Sequence, residues 1–460
     1  MLFNSQIFLL VFLPVTLIGY YLTAARDSWR LGWLLLASLV FYGYWDIRFL
    51  PLLSFSVVMN WSLARLYGVA GHSAVPLVGV AANLLMIGVF KYANFFAGSL
   101  FLVAGGGFNP WDIVLPLGIS FFTFQQISYL LDLRRGRAPV YPFGQYALYV
   151  TFFPQLIAGP IVRHNELIGQ FELAPLRERY AERLSRGAVL FLIGLVKKVV
   201  LADKLAEIAT PLFALIADGK SLTLAEAWVA AGGYTLQLYF DFSGYSDMAI
   251  GLGLLFGLTI PTNFNAPYVA LSIRDFWRRW HITLSRFLRD YLYIPLGGNR
   301  FGLPRQIYAL MVTMILGGLW HGAGWTFVVW GMWHGFGLVG NHLWKMTGFK
   351  LPRAVAWLMT MLFIILGWVV FRSETLPHAW TMLATMTGWH GWSLVVNDVP
   401  HRWTVLLFAL PALFGPTSQN LALEKLVPRP IYAVLAAGCF FYLALVIGDE
   451  GYSEFVYFQF

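Results

Sequence analysis

Long apolar runs separated by short polar breaks dominate the chain, and within each run the hydrophobic positions are continuous rather than alternating. A spanning helix needs about 20 mostly apolar residues, and such runs recur from Ile7 to Gly448. Backbone at membrane depth must satisfy its own hydrogen bonds, and a barrel strand would alternate every second residue, so the pattern predicts helices. The expected spans fall near residues 7–24, 31–47, 50–68, 76–96, 113–131, 146–160, 187–216, 226–257, 308–344, 354–371, 403–416 and 431–448. The predicted fold class is an all-α polytopic membrane protein with roughly 11–12 transmembrane helices plus re-entrant or amphipathic segments. The run 308–344 is too long for one crossing and contains Gly317, Gly318, Gly322, Gly324, Gly331, Gly335 and Gly337. It predicts two segments or a broken helix, a form tolerated at depth only where protein or a water-filled cavity surrounds it.

No linker, low-complexity tract or internal repeat interrupts this pattern, so residues 1–460 read as one domain. Two stretches stand out within it: a basic segment at 274–305 and a terminal helix with an aromatic tail at 425–460. Composition agrees with a membrane protein. Hydrophobic residues make up 59% and charged residues 12%, against about a quarter charged in a soluble domain. The single cysteine, Cys439, excludes an intramolecular disulfide and a thiolate metal cluster.

Charge is placed unevenly. Arg274, Arg278, Arg279, Arg286, Arg289, Arg300 and Arg305 face only Asp275 and Asp290, which concentrates in one stretch much of a net charge of +9. Positive-inside placement accounts for that charge and requires no nucleic acid. The first apolar run reads as a retained helix; Arg26 and Arg30 follow it, which puts the N-terminus outside. Lys425 and Arg429 precede the last run and Asp449, Glu450 and Glu454 follow it, which puts the tail outside as well.

The basic stretch begins "RDFWRRWHITLSRFLRDYLYIPLGGNR". Drawn as one helix, it places Trp277, His281, Leu284 and Leu288 on a shared face with several arginines off it. Two readings stand: a site where Arg278, Arg279 and Arg286 hold a phosphorylated donor, because guanidinium forks match phosphate oxygens, or an anchor among lipid headgroups. His321, in "GGLWHGAGW", is the sharper feature. A titratable group in an intramembrane segment faces the protein interior by default, and an imidazole can take a proton from a hydroxyl and return it to a leaving group. The alternative is a neutral histidine that bonds a neighbouring helix. His334, in a second "WHG", would lie about 140° from His321 on an unbroken helix and reads as structural. "LYFDFSGYSDMAIGLG" offers Asp241 and Asp247 either to orient a histidine or to bond between helices. No Walker loop, dinucleotide fingerprint or HExxH is present, so the sequence indicates neither a metal nor a bound cofactor.

With "FWRRWHITLSRFLRDYLYIPLGGNR" and "GLWHGAGWTFVVWG" in view, the chain resembles the membrane-bound O-acyltransferase family, specifically its bacterial polysaccharide O-acetylase branch. "MLFNSQIFLLVFLPV", "LPLGISFFTFQQISYLLD", "FPQLIAGPIVR" and "YFDFSGYSDMAIGLG" are similar to that branch in the same order. The resemblance implies a helical shell around a central catalytic tunnel in the bacterial inner membrane. His321 then corresponds to the family histidine and His281 to its second site position. The implied reaction carries an acetyl group from cytoplasmic acetyl-CoA across the membrane to a hydroxyl of an exopolysaccharide or cell-wall glycan, such as alginate. His321 would be the general base, and His281 would polarise the thioester or orient the reactants. The ending "GYSEFVYFQF" is similar to a motif in which a tyrosine, here Tyr457, relays the acyl group to a periplasmic serine-hydrolase-like (SGNH) partner. A plainer reading of that tail is an interfacial aromatic anchor. Two competing functions are a transporter or flippase, which predicts paired broken helices in two related halves, and a non-catalytic scaffold of a polysaccharide export complex.

Overall fold

The structure is a computed structural model that describes the chain from Met1 to Phe460, apart from residues 390, 397, 398, 400, 428, 451–454 and 457–460 and the side chains of 448–450. The described residues form helices and connecting coil, with no strand among them. Ile47–Ala70, Ala74–Val103, Arg353–Arg372 and Pro430–Ile447 are long and apolar enough to cross a membrane. The chain folds into two compact units. One comprises 1–195, 245–262 and 418–454, and the other 196–244, 263–417 and 455–460. The boundaries at 195/196 and 244/245 fall inside continuous helical stretches, which is why no linker composition marks them.

In the first unit, polar side chains join apolar helices. Asn83 donates to the Asn60 side chain at 2.6 Å, Gln126 donates to Ser56 Oγ at 2.8 Å, and Tyr146 donates to Gln126 Oε1 at 3.2 Å. These bonds pair buried amides between helices. Two expectations change here. The span expected at 146–160 is instead a helix Phe143–Thr151, a single turn Phe153–Leu156 and then coil, because Pro154 and Pro160 cannot continue a helix. The stretch from Tyr146 to Val162 is buried throughout, so its irregular backbone is surrounded by protein. Arg30, expected in a cytoplasmic loop beside Arg26, lies buried in the helix Asp27–Gly43 and donates to the Phe171 carbonyl at 2.7 Å.

In the second unit, the run expected to break at its glycines does so. One arm is Gly302–His321, the turn is Gly322 to Gly324, and the returning arm is Trp325–Met346. Small residues allow the two arms to touch at backbone distance. A Cβ on Gly331 would sit 2.5 Å from the Met314 carbonyl oxygen, and one on Gly318 would collide with the Phe327 carbonyl. Gly322 yields its space to the Phe327 ring rather than to a second backbone. Gly331→Val is therefore expected to destabilise the protein by about 1–3 kcal/mol through overpacking against main chain. Gly340→Ala in the same helix, where an added Cβ meets nothing, should be neutral or slightly stabilising. Thermal unfolding in detergent checks both; an unchanged midpoint for Gly331→Val would refute the close crossing.

Candidate active site

The basic segment does not form the single helix that its periodicity predicts. It forms two seven-residue helices, Ile273–Arg279 and Ile282–Leu288, with His281 between them in the left-handed region at φ 41° and ψ 55°. That conformation costs a non-glycine residue on the order of 1–3 kcal/mol and persists only when the surroundings hold it. The holder is Asn263. Its carbonyl accepts Ile282 N–H at 2.9 Å, and its side-chain Oδ1 accepts Thr283 N–H at 3.2 Å and Thr283 Oγ1–H at 2.9 Å. The second helix thus obtains its N-terminal cap from a residue outside it. Trp277, His281, Leu284 and Leu288 still share burial despite the break, each less than a tenth exposed.

Asn263 also fixes the tautomer of His281. Its Oδ1 lies 3.1 Å from His281 Nδ1. A backbone N–H can only donate, so the Thr283 N–H identifies the Asn263 atom as the oxygen, and Nδ1 must carry the proton. In the neutral ring the lone pair is then on Nε2. The ring stands edge-on to Phe242 at 4.7 Å and 6.0 Å from Trp320.

His321 is the last residue of its helix and only 4% exposed. Its ring lies 5.0 Å from Trp320, 5.1 Å from Trp330 and 5.4 Å from Phe371. Trp320 therefore borders both imidazoles, so the two expected histidines pack against one indole. The break at 322–324 also places Trp330 between His321 and His334, whose ring is 4.6 Å from it. His334 Nδ1 accepts the Trp277 indole N–H at 3.2 Å. The separation of about 140° assumes an unbroken helix, which the break removes, but the bond from Trp277 ties His334 to a neighbouring helix and uses its Nδ1 lone pair.

The arginines are spread differently from a single cluster. Arg278 is exposed, whereas Arg279 is held by Asp275 at 3.0 Å and donates to the Asn265 carbonyl. Arg286 is half-buried. Of the two readings of Asp241 and Asp247, the contacts fit bonding between segments. Asp241 Oδ1 pairs with Lys198 at 2.8 Å and Oδ2 accepts the Val456 N–H at 3.0 Å, so the atom that orients His281 comes from Asn263 instead. Asp247 belongs to the first unit, where it accepts from Gln419 Nε2 at 2.6 Å. Tyr457 lies outside the described residues.

Three features of the second unit escaped the sequence reading. Asn263 sits in "PTNFNAPY", where nothing local announces a side chain that reaches eighteen residues ahead. Trp320 and Trp330 read as ordinary apolar positions. Lys198 had a usable signal: "GLVKKVVLA" puts two lysines inside an apolar run, and an intramembrane cation is a functional candidate by default.

The model of the membrane-bound O-acyltransferase family matches residues 111–377, a stretch that contains Lys198, Asp241, Asn263, His281 and His321. The chain is similar to a probable alginate O-acetylase AlgI of Azotobacter vinelandii, at 40% identity over the whole of both chains. A peptidoglycan O-acetyltransferase of Helicobacter pylori is 43% identical over 86% of this chain and 81% of its own length. A teichoic acid D-alanyltransferase of Bacillus subtilis is 27% identical over 58% of this chain and 71% of its own. With a family match across more than half its length and a relative aligned end to end, this chain belongs to the membrane-bound O-acyltransferase family and is an acyl-transferring enzyme.

Proposed function

We propose that the protein is an O-acetyltransferase of the bacterial inner membrane that takes acetyl from cytoplasmic acetyl-CoA and delivers it to a glycan hydroxyl outside. The reading is supported most by the packing of His281 and His321 against the same tryptophan. The names of the relatives add acetyl as the group and polysaccharide as the acceptor class. In the proposed step a hydroxyl oxygen attacks the thioester carbonyl and His321 takes its proton. The C–S bond breaks, and the proton leaves with the CoA thiolate.

The Asn263 contact narrows the role of His281. With Nδ1–H given to Asn263, a neutral His281 has no N–H at Nε2 to donate to a thioester carbonyl. It suits the orienting role, accepting from a hydroxyl or a thiol. Arg278 and Arg286 are the candidates to meet the donor's phosphates. The acetyl group is proposed to pass to Tyr457 and from there to a periplasmic serine-hydrolase-like partner that acylates the polysaccharide, with both termini periplasmic.

The test uses purified protein in detergent with isotopically labelled acetyl-CoA, following free CoA and the mass of the C-terminal peptide for wild type and Tyr457→Phe. Release of CoA with label on the wild-type tail, and none on Tyr457→Phe, is the expected result. Release without tail label in wild type would remove the relay and keep the transferase. Absence of release, even with periplasmic extract added, would remove acetyl-CoA as donor.

A further inference from the structure

The C-terminal tail is tied to a buried charge pair that the proposed chemistry does not use. Lys198 is 2% exposed and bridges Asp203 and Asp241, each at 2.8 Å. Asp241, 1% exposed, turns its other oxygen to the backbone N–H of Val456 at 3.0 Å. The Lys198 ammonium also lies 4.8 Å from the centre of the Phe455 ring, within cation–π range. Phe455 and Val456 are 1% and 5% exposed, so this part of the tail is inside the second unit rather than spread at its surface.

Local helix geometry serves the same arrangement. Lys197–Ala202 is a π-helical segment, a form of interruption frequent at functional sites. Two consecutive lysines of this segment address the helix Leu224–Leu255: Lys197 donates to Ser243 Oγ at 3.2 Å while Lys198 reaches Asp241. In a regular helix, neighbours in sequence point about 100° apart.

We propose that the Lys198–Asp241 pair is an internal receptor for the chain's own C-terminal segment. Asp241 is the acceptor that fixes the tail backbone at Val456, and Lys198 is the cation that seats Phe455. The energetics favour such a use. A buried ion pair is poor value as a stabiliser, since well-packed apolar residues of similar volume often replace it at no loss. A carboxylate with one oxygen left for a peptide N–H, however, gives a charge-assisted hydrogen bond that selects one register of a segment. Fixing Val456 fixes where the next residue starts, and that next residue is Tyr457. Docking stands on the contacts alone; its link to acyl transfer rests on the relay proposed above. Lys198 and Asp241 are thus positioning residues.

The experiment is amide hydrogen exchange on the C-terminal peptide of the full-length protein, followed by mass spectrometry, alongside thermal unfolding of the same samples. Four proteins are compared: wild type, Asp241→Asn, the double variant Lys198→Met with Asp241→Leu, and Val456→Pro. In the double variant the tail amides should exchange at least tenfold faster than in wild type, with the unfolding midpoint retained. Asp241→Asn keeps an acceptor oxygen and should lie between the two. Val456→Pro removes the donor and leaves the pair intact, so it reports even if the double variant does not fold; it should release the tail to a similar extent. Slow wild-type-like exchange in Val456→Pro, or in a folded double variant, overturns the receptor. Label transfer to Tyr457 on the same samples separates the two ideas. A protected tail that never acquires acetyl sinks the relay and leaves the receptor standing, whereas an acetylated tail that stays equally protected in every variant sinks the receptor alone.

Discussion

His321→Asn should leave a folded protein that no longer transfers acetyl, with CoA release reduced by roughly 10²–10⁴-fold, the usual contribution of a positioned base. Asparagine keeps a polar side chain of comparable reach in a pocket formed by Trp320, Trp330 and Phe371, so packing changes little. It has no atom that can hold a proton near neutral pH. His321→Ala removes the same chemistry but leaves a void among three aromatic rings, and a parallel loss of melting temperature would confuse the reading. The pair of variants separates the effects: both should lose activity, and only alanine should lose much stability. His334→Asn supplies the contrast. Its imidazole accepts from Trp277 between two helices, so its replacement should cost stability more than catalytic rate. Full activity in a well-folded His321→Asn would remove the proposed base.

Much of the architecture was legible because it rests on composition and on glycine. The break at 322–324 follows from the glycines that let Gly302–His321 and Trp325–Met346 meet at backbone distance. His321 was legible because a titratable residue at membrane depth is conspicuous. Periodicity failed at His281 for a physical reason: a helix repeat records only local spacing, whereas the kink there is held by Asn263, eighteen residues earlier in the chain. The coil between Leu156 and Arg163 was hidden in a similar way, since complete burial makes irregular backbone as apolar in sequence as a spanning helix. Asp241 was recognised as a buried acid, but its partner could not be. The choice among His281, Lys198 and the tail depends on the turn of the π segment at Lys197–Ala202, which no residue in that segment announces.

Asn263→Ala is expected to lower both stability and rate, and Asn263→Asp to preserve most of each. Alanine removes the acceptor of the Thr283 N–H, the Thr283 hydroxyl and His281 Nδ1, all buried. Each orphaned buried donor costs about 1–3 kcal/mol, so a net loss of at least about 2 kcal/mol should appear in denaturation. The rate should fall further than this instability explains. Without an acceptor at Nδ1 the imidazole can move its proton to Nε2, and the lone pair then faces Asn263's former place. Holding a histidine in the required tautomer is the task that a third residue performs in histidine-dependent transferases and hydrolases generally, where its loss costs orders of magnitude. For Asn263→Ala we expect CoA release at saturating donor to drop by about 10²-fold. Aspartate presents an oxygen in the same position and accepts the same three hydrogens, so Asn263→Asp should retain the left-handed His281 and most of the rate. Turnover and unfolding measured on the same preparations decide between a tautomer device and a plain helix cap. If Asn263→Ala loses stability but turns over within twofold of wild type, Asn263 is only a cap for Ile282–Leu288 and His281 needs no fixed proton. If aspartate fails as badly as alanine, the oxygen at that position is not what matters, and the neutral amide would have to be required for another reason.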